Sequence, residues 1–128
     1  MIVIDGSALV VAVVDTTARG ESVRARLAGG AAAPHLVDAE VGQAVRGLVL
    51  RGLLDAAAAA RSASWAESLV TDRYPHPGLR PRAWQLRHNV SFYDGLYVAL
   101  AEATGHPLVT ADAKLAAAHG PRCTVDLA

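Results

Sequence analysis

An α/β fold, a three-layer α/β/α sandwich around a mostly parallel five-stranded sheet, is what the sequence predicts. Three observations predict it. Short apolar or β-branched runs recur along the 128 residues, and each gives way to a longer stretch with helical periodicity. The connections between runs are long enough to hold helices, which implies parallel pairing with right-handed crossovers. Neither a repeat nor a linker interrupts the pattern, so residues 1–128 read as a single domain. A chain of that size buries roughly two thirds of the surface its unfolded form exposes.

Taken in order, Ile2 to Ile4 is a β-branched run that stops at Asp5-Gly6-Ser7, the pattern of a buried parallel strand. Ser7 to Val14 continues as an apolar helix, and Ala18 to Leu27 as a second, closed by Gly29-Gly30. Ala32 to His35 is a second strand. Leu36 to Leu50 carries a helical stripe of Val37, Val41, Ala44, Val45 and Leu48. Leu53 to Leu69 is an alanine-rich helix with Asp55 in its first turn. Leu69 to Tyr74 is a third strand, followed by the punctuation Pro75-His76-Pro77-Gly78 and a short helix from Pro81 to His88. Ser91 and Asp94 open the next helix with a capping-box spacing, and it runs to Gly105. His106 to Thr110 is a fourth strand, Asp112 to Ala118 a helix, and Cys123 to Asp126 a last strand.

Composition excludes several classes. The lone Cys123 permits no internal disulfide and no cysteine-based zinc cluster, and reads as a small buried hydrophobe in a reducing setting. Asp5 interrupts the only apolar run near the start, and no stretch approaches the ~20 residues of a membrane span. The expectation is a soluble, cytoplasmic protein without a membrane segment. Twelve basic and twelve acidic residues cancel, so any polyanion site must be local. No G-x-x-x-x-G-K-[ST] or G-x-G-x-x-G phosphate loop is present.

In open parallel sheets, ligands bind beyond the carboxyl ends of the strands, near the point where strand order reverses. Asp5 follows the first strand and Asp112 the fourth. Glu40 and Asp94 lie in the first turns of helices that begin at that same edge. Glu40 sits about 100° around its helix from Val41, at the margin of the apolar stripe. Asp94 is the odd charge at the start of a helix that is apolar almost all round. Singly, Asp5, Asp94 and Asp112 each read as readily as helix caps. Asp38 is better placed than Glu40 to cap its helix. Together, four carboxylates at one edge repel one another unless a cation neutralises them, and an all-oxygen donor set suits Mg²⁺ or Mn²⁺.

Other residues carry weaker signals. Arg73, Arg80, Arg82 and Arg87 lie in a segment without acids just before Asp94, and Arg46 lies one and a half turns past Glu40. With Arg46, Arg82 and Arg87 foremost, they are candidates for contacts to the phosphates of a polyanion. Trp65 and Trp84 offer flat rings for stacking, but their helical spacing favours the core, and the five histidines read as loop or surface positions.

The stretches "IDGSAL", "PHLVDAEV" and "YDGLYVALAEATGHPLVTADAKL" resemble, in order and spacing over essentially the whole chain, the PIN domain, and most closely the VapC-type ribonuclease toxins of bacterial toxin–antitoxin pairs. The resemblance implies that Asp5, Glu40, Asp94 and Asp112 form a catalytic cluster binding Mg²⁺ or Mn²⁺, supported by the hydroxyls of Ser7 and Thr110. It also implies hydrolysis of RNA phosphodiesters with inhibition of translation and growth. A small VapB-like antitoxin is implied as partner, its C-terminal segment wrapping the toxin, and a homodimer is common in the family. Gly6 stands where alanine is usual, and Lys114 where the family often has an acid. The alternatives are a PIN nuclease of RNA processing and a non-catalytic PIN-like protein-binding module. A dehalogenase-like phosphatase needs a second Asp where Ser7 stands, and a receiver domain needs its phosphoacceptor after the third strand.

Overall fold

The computed structural model describes Met1–Ala128. Five strands, β1 (Ile2–Ile4), β2 (Ala31–Pro34), β3 (Asp72–Tyr74), β4 (Leu108–Thr110) and β5 (Val125–Leu127), form one sheet in the order β3-β2-β1-β4-β5. Every pairing is parallel, so the sheet is wholly and not mostly so. Seven helices connect them: α1 (Gly6–Val14), α2 (Ala18–Leu27), α3 (Leu36–Leu50), α4 (Ala56–Leu69), α5 (Arg80–Gln85), α6 (Phe92–Thr104) and α7 (Ala113–Ala116). From β1 the chain steps one way to β2 and β3, then crosses back to β4 and β5. Right-handed crossovers therefore place α1 to α4 on one face and α6 on the other. The reversal falls between β1 and β4.

Most boundaries move by one to three residues from the sequence reading, and each shift has a local cause. Asp55 caps α4 from outside, accepting from Ala58 N–H at 2.7 Å, so the helix starts at Ala56 and not at Leu53. Gly105, with φ +71°, ends α6 in the left-handed conformation that glycine adopts freely. The third strand shortens to Asp72–Tyr74, lying at the edge, where pairing to β2 alone defines it.

The core is one apolar cluster of 30 buried residues, with Val3, Ile4, Leu108 and Val109 of the central strands fully covered. The apolar character of α6 is explained by this burial, since Gly95 to Ala101 are all inside. A Cβ at Gly95 would meet the Ala83 Cα at 3.0 Å, so α5 packs backbone-close against α6 directly behind Asp94. No helix is long and apolar enough to cross a membrane.

Three side-chain readings are corrected. Trp65 and Trp84 are not core: they are 43% and 60% exposed, with arginine guanidiniums of Arg24 and Arg87 over their rings. Asp38 does not cap α3, because Arg73 holds both its oxygens at 2.7 and 2.9 Å. The cap comes instead from His76, whose Nε2 accepts from Leu36 N–H at 3.0 Å, so this histidine is structural. Cys123 is half-buried, and burial pushes its thiol pKa up.

Candidate active site

Asp5 is the first residue beyond β1, buried to 5% exposure, and three donors hold its carboxylate while one lone-pair direction of Oδ2 stays open. Oδ1 accepts from Ser7 Oγ at 2.6 Å and from Ala8 N–H at 2.9 Å; Oδ2 accepts from Thr110 Oγ1 at 2.5 Å. One carboxylate is thus both the N-cap of α1 and a fixed group at the sheet edge. Thr110, fully buried at the end of β4, reaches it across the switch point, and also accepts from Asp112 N–H at 3.0 Å. Ser7 Oγ accepts from Ala111 N–H at 2.9 Å. The two hydroxyls tie the ends of β1 and β4 together, as supports for the acids on either side.

Asp112 likewise caps α7 through Oδ1, accepting from Lys114 N–H at 2.8 Å, while standing exposed at the rim. Lys114 supplies its backbone here and forms no ion pair. Asp94 is half-buried in the first turn of α6. Only half of its capping box forms: Asp94 N–H donates to Ser91 Oγ at 3.1 Å, with no return bond from Ser91 N–H to the carboxylate. Glu40, half-buried on α3, accepts a hydrogen bond from the Tyr97 hydroxyl.

The four acids lie within electrostatic reach of one another. Burial lifts the pKa of Asp5 above the ordinary carboxylate value, against the hydrogen bonds from Ser7, Thr110 and Ala8, and the Asp112 charge adds to the rise. Burial also lifts Glu40, opposed by Tyr97 and reinforced by Asp5 and Asp94. For Asp94, burial again leads, opposed by the Ser91 hydroxyl and reinforced by Asp5 and Asp112. The three ion pairs of the chain use Asp126, Asp38 and Glu102, so no cationic side chain compensates the cluster. It is also open: no three acidic, histidine or cysteine side chains stand together as a preformed ligand set. An uncompensated, spread group of carboxylate oxygens suits a hard cation that keeps much of its water, such as Mg²⁺.

Two residues gain roles that the sequence reading missed. Tyr97 was legible only as one more apolar residue of α6, although its spacing of three from Asp94 puts it on the same face. Gly6 matters through space and not through a turn: it is not among the glycines with positive φ. A Cβ there would lie 2.7 Å from Glu40 Cβ and 3.3 Å from Glu40 Oε1. Glycine thereby sets how closely α3 brings Glu40 to Asp5.

The candidate arginines divide. Arg82 is occupied, donating to both oxygens of Glu102 at 2.7 and 3.0 Å and to the Gly120 carbonyl at 3.1 Å. Glu102 lies near the far end of α6, roughly 12 Å along the axis from Asp94 at 1.5 Å per residue. Arg82 is therefore a strut and not a group facing the acids. Arg87 is exposed but folded over Trp84, its guanidinium 4.8 Å from the ring centroid. Arg73 is held by Asp38. Arg46 remains exposed on α3 and enters no ion pair.

With this geometry established, comparison with known proteins is direct. The PIN domain family model matches residues 2–120. Ribonuclease VapC1 of Mycobacterium tuberculosis is 51% identical over 96 residues, which span 74% of this chain and 72% of that protein. Ribonuclease VapC9 of the same species is 39% identical over 125 residues, 98% of this chain and 96% of the relative. Among solved structures, PAE2754 from Pyrobaculum aerophilum aligns with a TM-score of 0.75 at 26% identity, covering 98% of this chain and 82% of that one. The match of fold and of sequence along nearly the full length has one reading: the chain belongs to the PIN-domain family, in its VapC branch.

Proposed function

We propose that this chain is a Mg²⁺- or Mn²⁺-dependent endoribonuclease, the toxin of a toxin–antitoxin pair, which hydrolyses RNA phosphodiester bonds in the cytoplasm and so inhibits translation and growth. The observation that carries the reading is the group of four acids without a cationic partner at the switch point of the sheet, in a chain whose relatives are named ribonucleases. Asp5, Asp94 and Asp112 would hold the cation, with Glu40 beside them. When bound, it supplies neutralising charge for the scissile phosphate and lowers the pKa of water. The protein's own part is positioning. Ser7 and Thr110 fix the plane of Asp5. Glu40, whose carboxylate the Tyr97 hydroxyl orients, is the acid assigned to take the proton of the attacking water.

A VapB-like antitoxin is the partner this family membership implies, and the chain forms a homodimer in the complex. The test is cleavage of cellular RNA by the purified chain in Mg²⁺ or Mn²⁺, against the same reaction in chelator. Expected is cutting that appears with the cation and stops with chelation; intact RNA under both conditions, with a partner protein still bound, would favour the protein-binding module.

Two variants probe the site's supports. Gly6→Ala pushes α3 and Glu40 away from Asp5, because the new methyl lies 2.7 Å from the Glu40 Cβ, and it lowers kcat by about 10- to 100-fold together with a lower melting temperature. Single-turnover kinetics, measured below the melting transition of the variant, checks it. Tyr97→Phe keeps the buried ring and removes the donor to Glu40. Without the hydrogen bond that lowers it, Glu40 titrates higher still, so the acidic limb of the pH–rate profile moves to higher pH and kcat falls about tenfold with KM unchanged. An unshifted limb would remove Tyr97 from the mechanism.

A further inference from the structure

We propose that the groove between Tyr93 and the first half of α3 is a nucleobase subsite, in which Tyr93 stacks on a base beside the scissile phosphate and Gln43 contacts that base's edge. This rests on the nuclease reading above and names the part of the RNA that the site grips.

The groove has a volume of about 450 Å³ and is lined by Leu36, Ala39, Glu40, Gln43, Ala44 and Tyr93. Its five α3 residues recur at helical spacing and so form one face of that helix. Glu40 is the wall shared with the acid cluster, so whatever lies in the groove touches the site. Tyr93 immediately precedes Asp94 and lies one turn before Tyr97, whose hydroxyl meets Glu40. Its ring is 62% exposed, so core packing does not account for it.

Charge selects the occupant. A second phosphate in this groove would face the Glu40 carboxylate with no cationic side chain in the lining, whereas a neutral planar base meets leucine, alanine and an aromatic ring. Proteins hold splayed, single-stranded RNA bases by such stacking, reading their edges with amide side chains. Beyond the groove, Ala39, Gln43 and Arg46 follow one another at four and three residues along α3, which sets the exposed Arg46 one turn past the base and in reach of the next part of the backbone.

The experiment uses a short oligoribonucleotide spanning a site that wild type cleaves in total cellular RNA, remade with a base-less ribose at each position in turn. Expected for Tyr93→Ala is a KM raised about 10- to 100-fold with kcat within about threefold, and near-wild-type values for Tyr93→Phe and Tyr93→Trp. At one position next to the cut, removing the base raises the wild-type KM comparably and adds nothing to the loss in Tyr93→Ala. Gln43→Ala changes the preference for the base at that position. A loss in Tyr93→Ala that is the same with and without each base, or a Trp variant as weak as Ala, overturns the subsite. So does a Tyr93→Ala protein that cleaves normally but no longer binds its antitoxin, which would make the groove a protein-docking surface. Wild type that cleaves no RNA overturns the nuclease reading itself, a distinct result.

Discussion

Asp5→Asn leaves the chain folded and lowers RNA cleavage by about a thousandfold or more, roughly 4 kcal/mol of lost transition-state stabilisation. The fold survives because the asparagine carbonyl still accepts from Ala8 N–H, keeping the α1 cap, and the hydroxyls of Ser7 and Thr110 rotate to suit an amide. Activity does not survive, because the replaced group is the buried acid whose orientation three donors and two strands determine. Melting temperature supplies the independent readout. Removing one charge from an uncompensated group relieves repulsion, so the variant melts at or above the temperature of the metal-free wild type. A variant that cleaves within tenfold of wild type would displace Asp5 from the centre of the site.

At pH 7.5, saturating Mg²⁺ or Mn²⁺ raises the melting temperature by on the order of 10 °C, from about 2.7 kcal/mol at a hundredfold excess over Kd. The same addition near pH 4 has little effect. A carboxyl whose folded pKa lies above its unfolded value binds protons more readily in the native state. Its favourable contribution is complete below the ordinary carboxylate pKa and is lost as the pH rises through the raised value. Asp5, Glu40 and Asp94 all belong to this class, so the metal-free protein gains stability on mild acidification from neutrality. Further down, the trend reverses. Glu102, held below the ordinary range by Arg82 and the Arg122 N–H although burial opposes them, and Asp15, held low by Thr17, lose their partners as they protonate. The metal-free optimum therefore lies in mild acid, and the cation moves it toward neutrality. Thermal melts across pH with and without the cation measure both shifts; a cation effect independent of pH would separate it from these acids.

Much of this was legible from the chain because parallel sheets give position a meaning: residues just past strands or at the following helix starts share one edge. That rule puts Asp5, Glu40, Asp94 and Asp112 at one edge, where they stand within electrostatic reach of one another. The competition between cap and ligand, which sequence poses as a choice, dissolves in the structure, where Asp5 and Asp112 cap with one oxygen and face the cluster with the carboxylate that remains. What escaped was set by contacts across the fold. His76 takes the cap that Asp38 yields to Arg73, a distance of 40 residues from Leu36 that no local pattern encodes. Tyr97 looks apolar in a helical stripe until Glu40 is placed opposite its hydroxyl. Trp65 and Trp84 follow a core spacing yet lie outside, where arginines cover them. Arg82 has the composition of an RNA contact and the geometry of a strut.

The bond from Thr110 to Asp5 joins residues 105 positions apart. During synthesis that separation is a delay. At ~5–20 residues per second, roughly 5–20 s pass between the emergence of the first acid and that of the hydroxyl that orients it. A chain cut short before β4 contains Asp5, Glu40 and Asp94, yet β1 lacks one of its two neighbours and the switch point has only one side. Until β4 is made, the edge that carries the acids therefore lacks both the strand and the hydroxyl that fix Asp5.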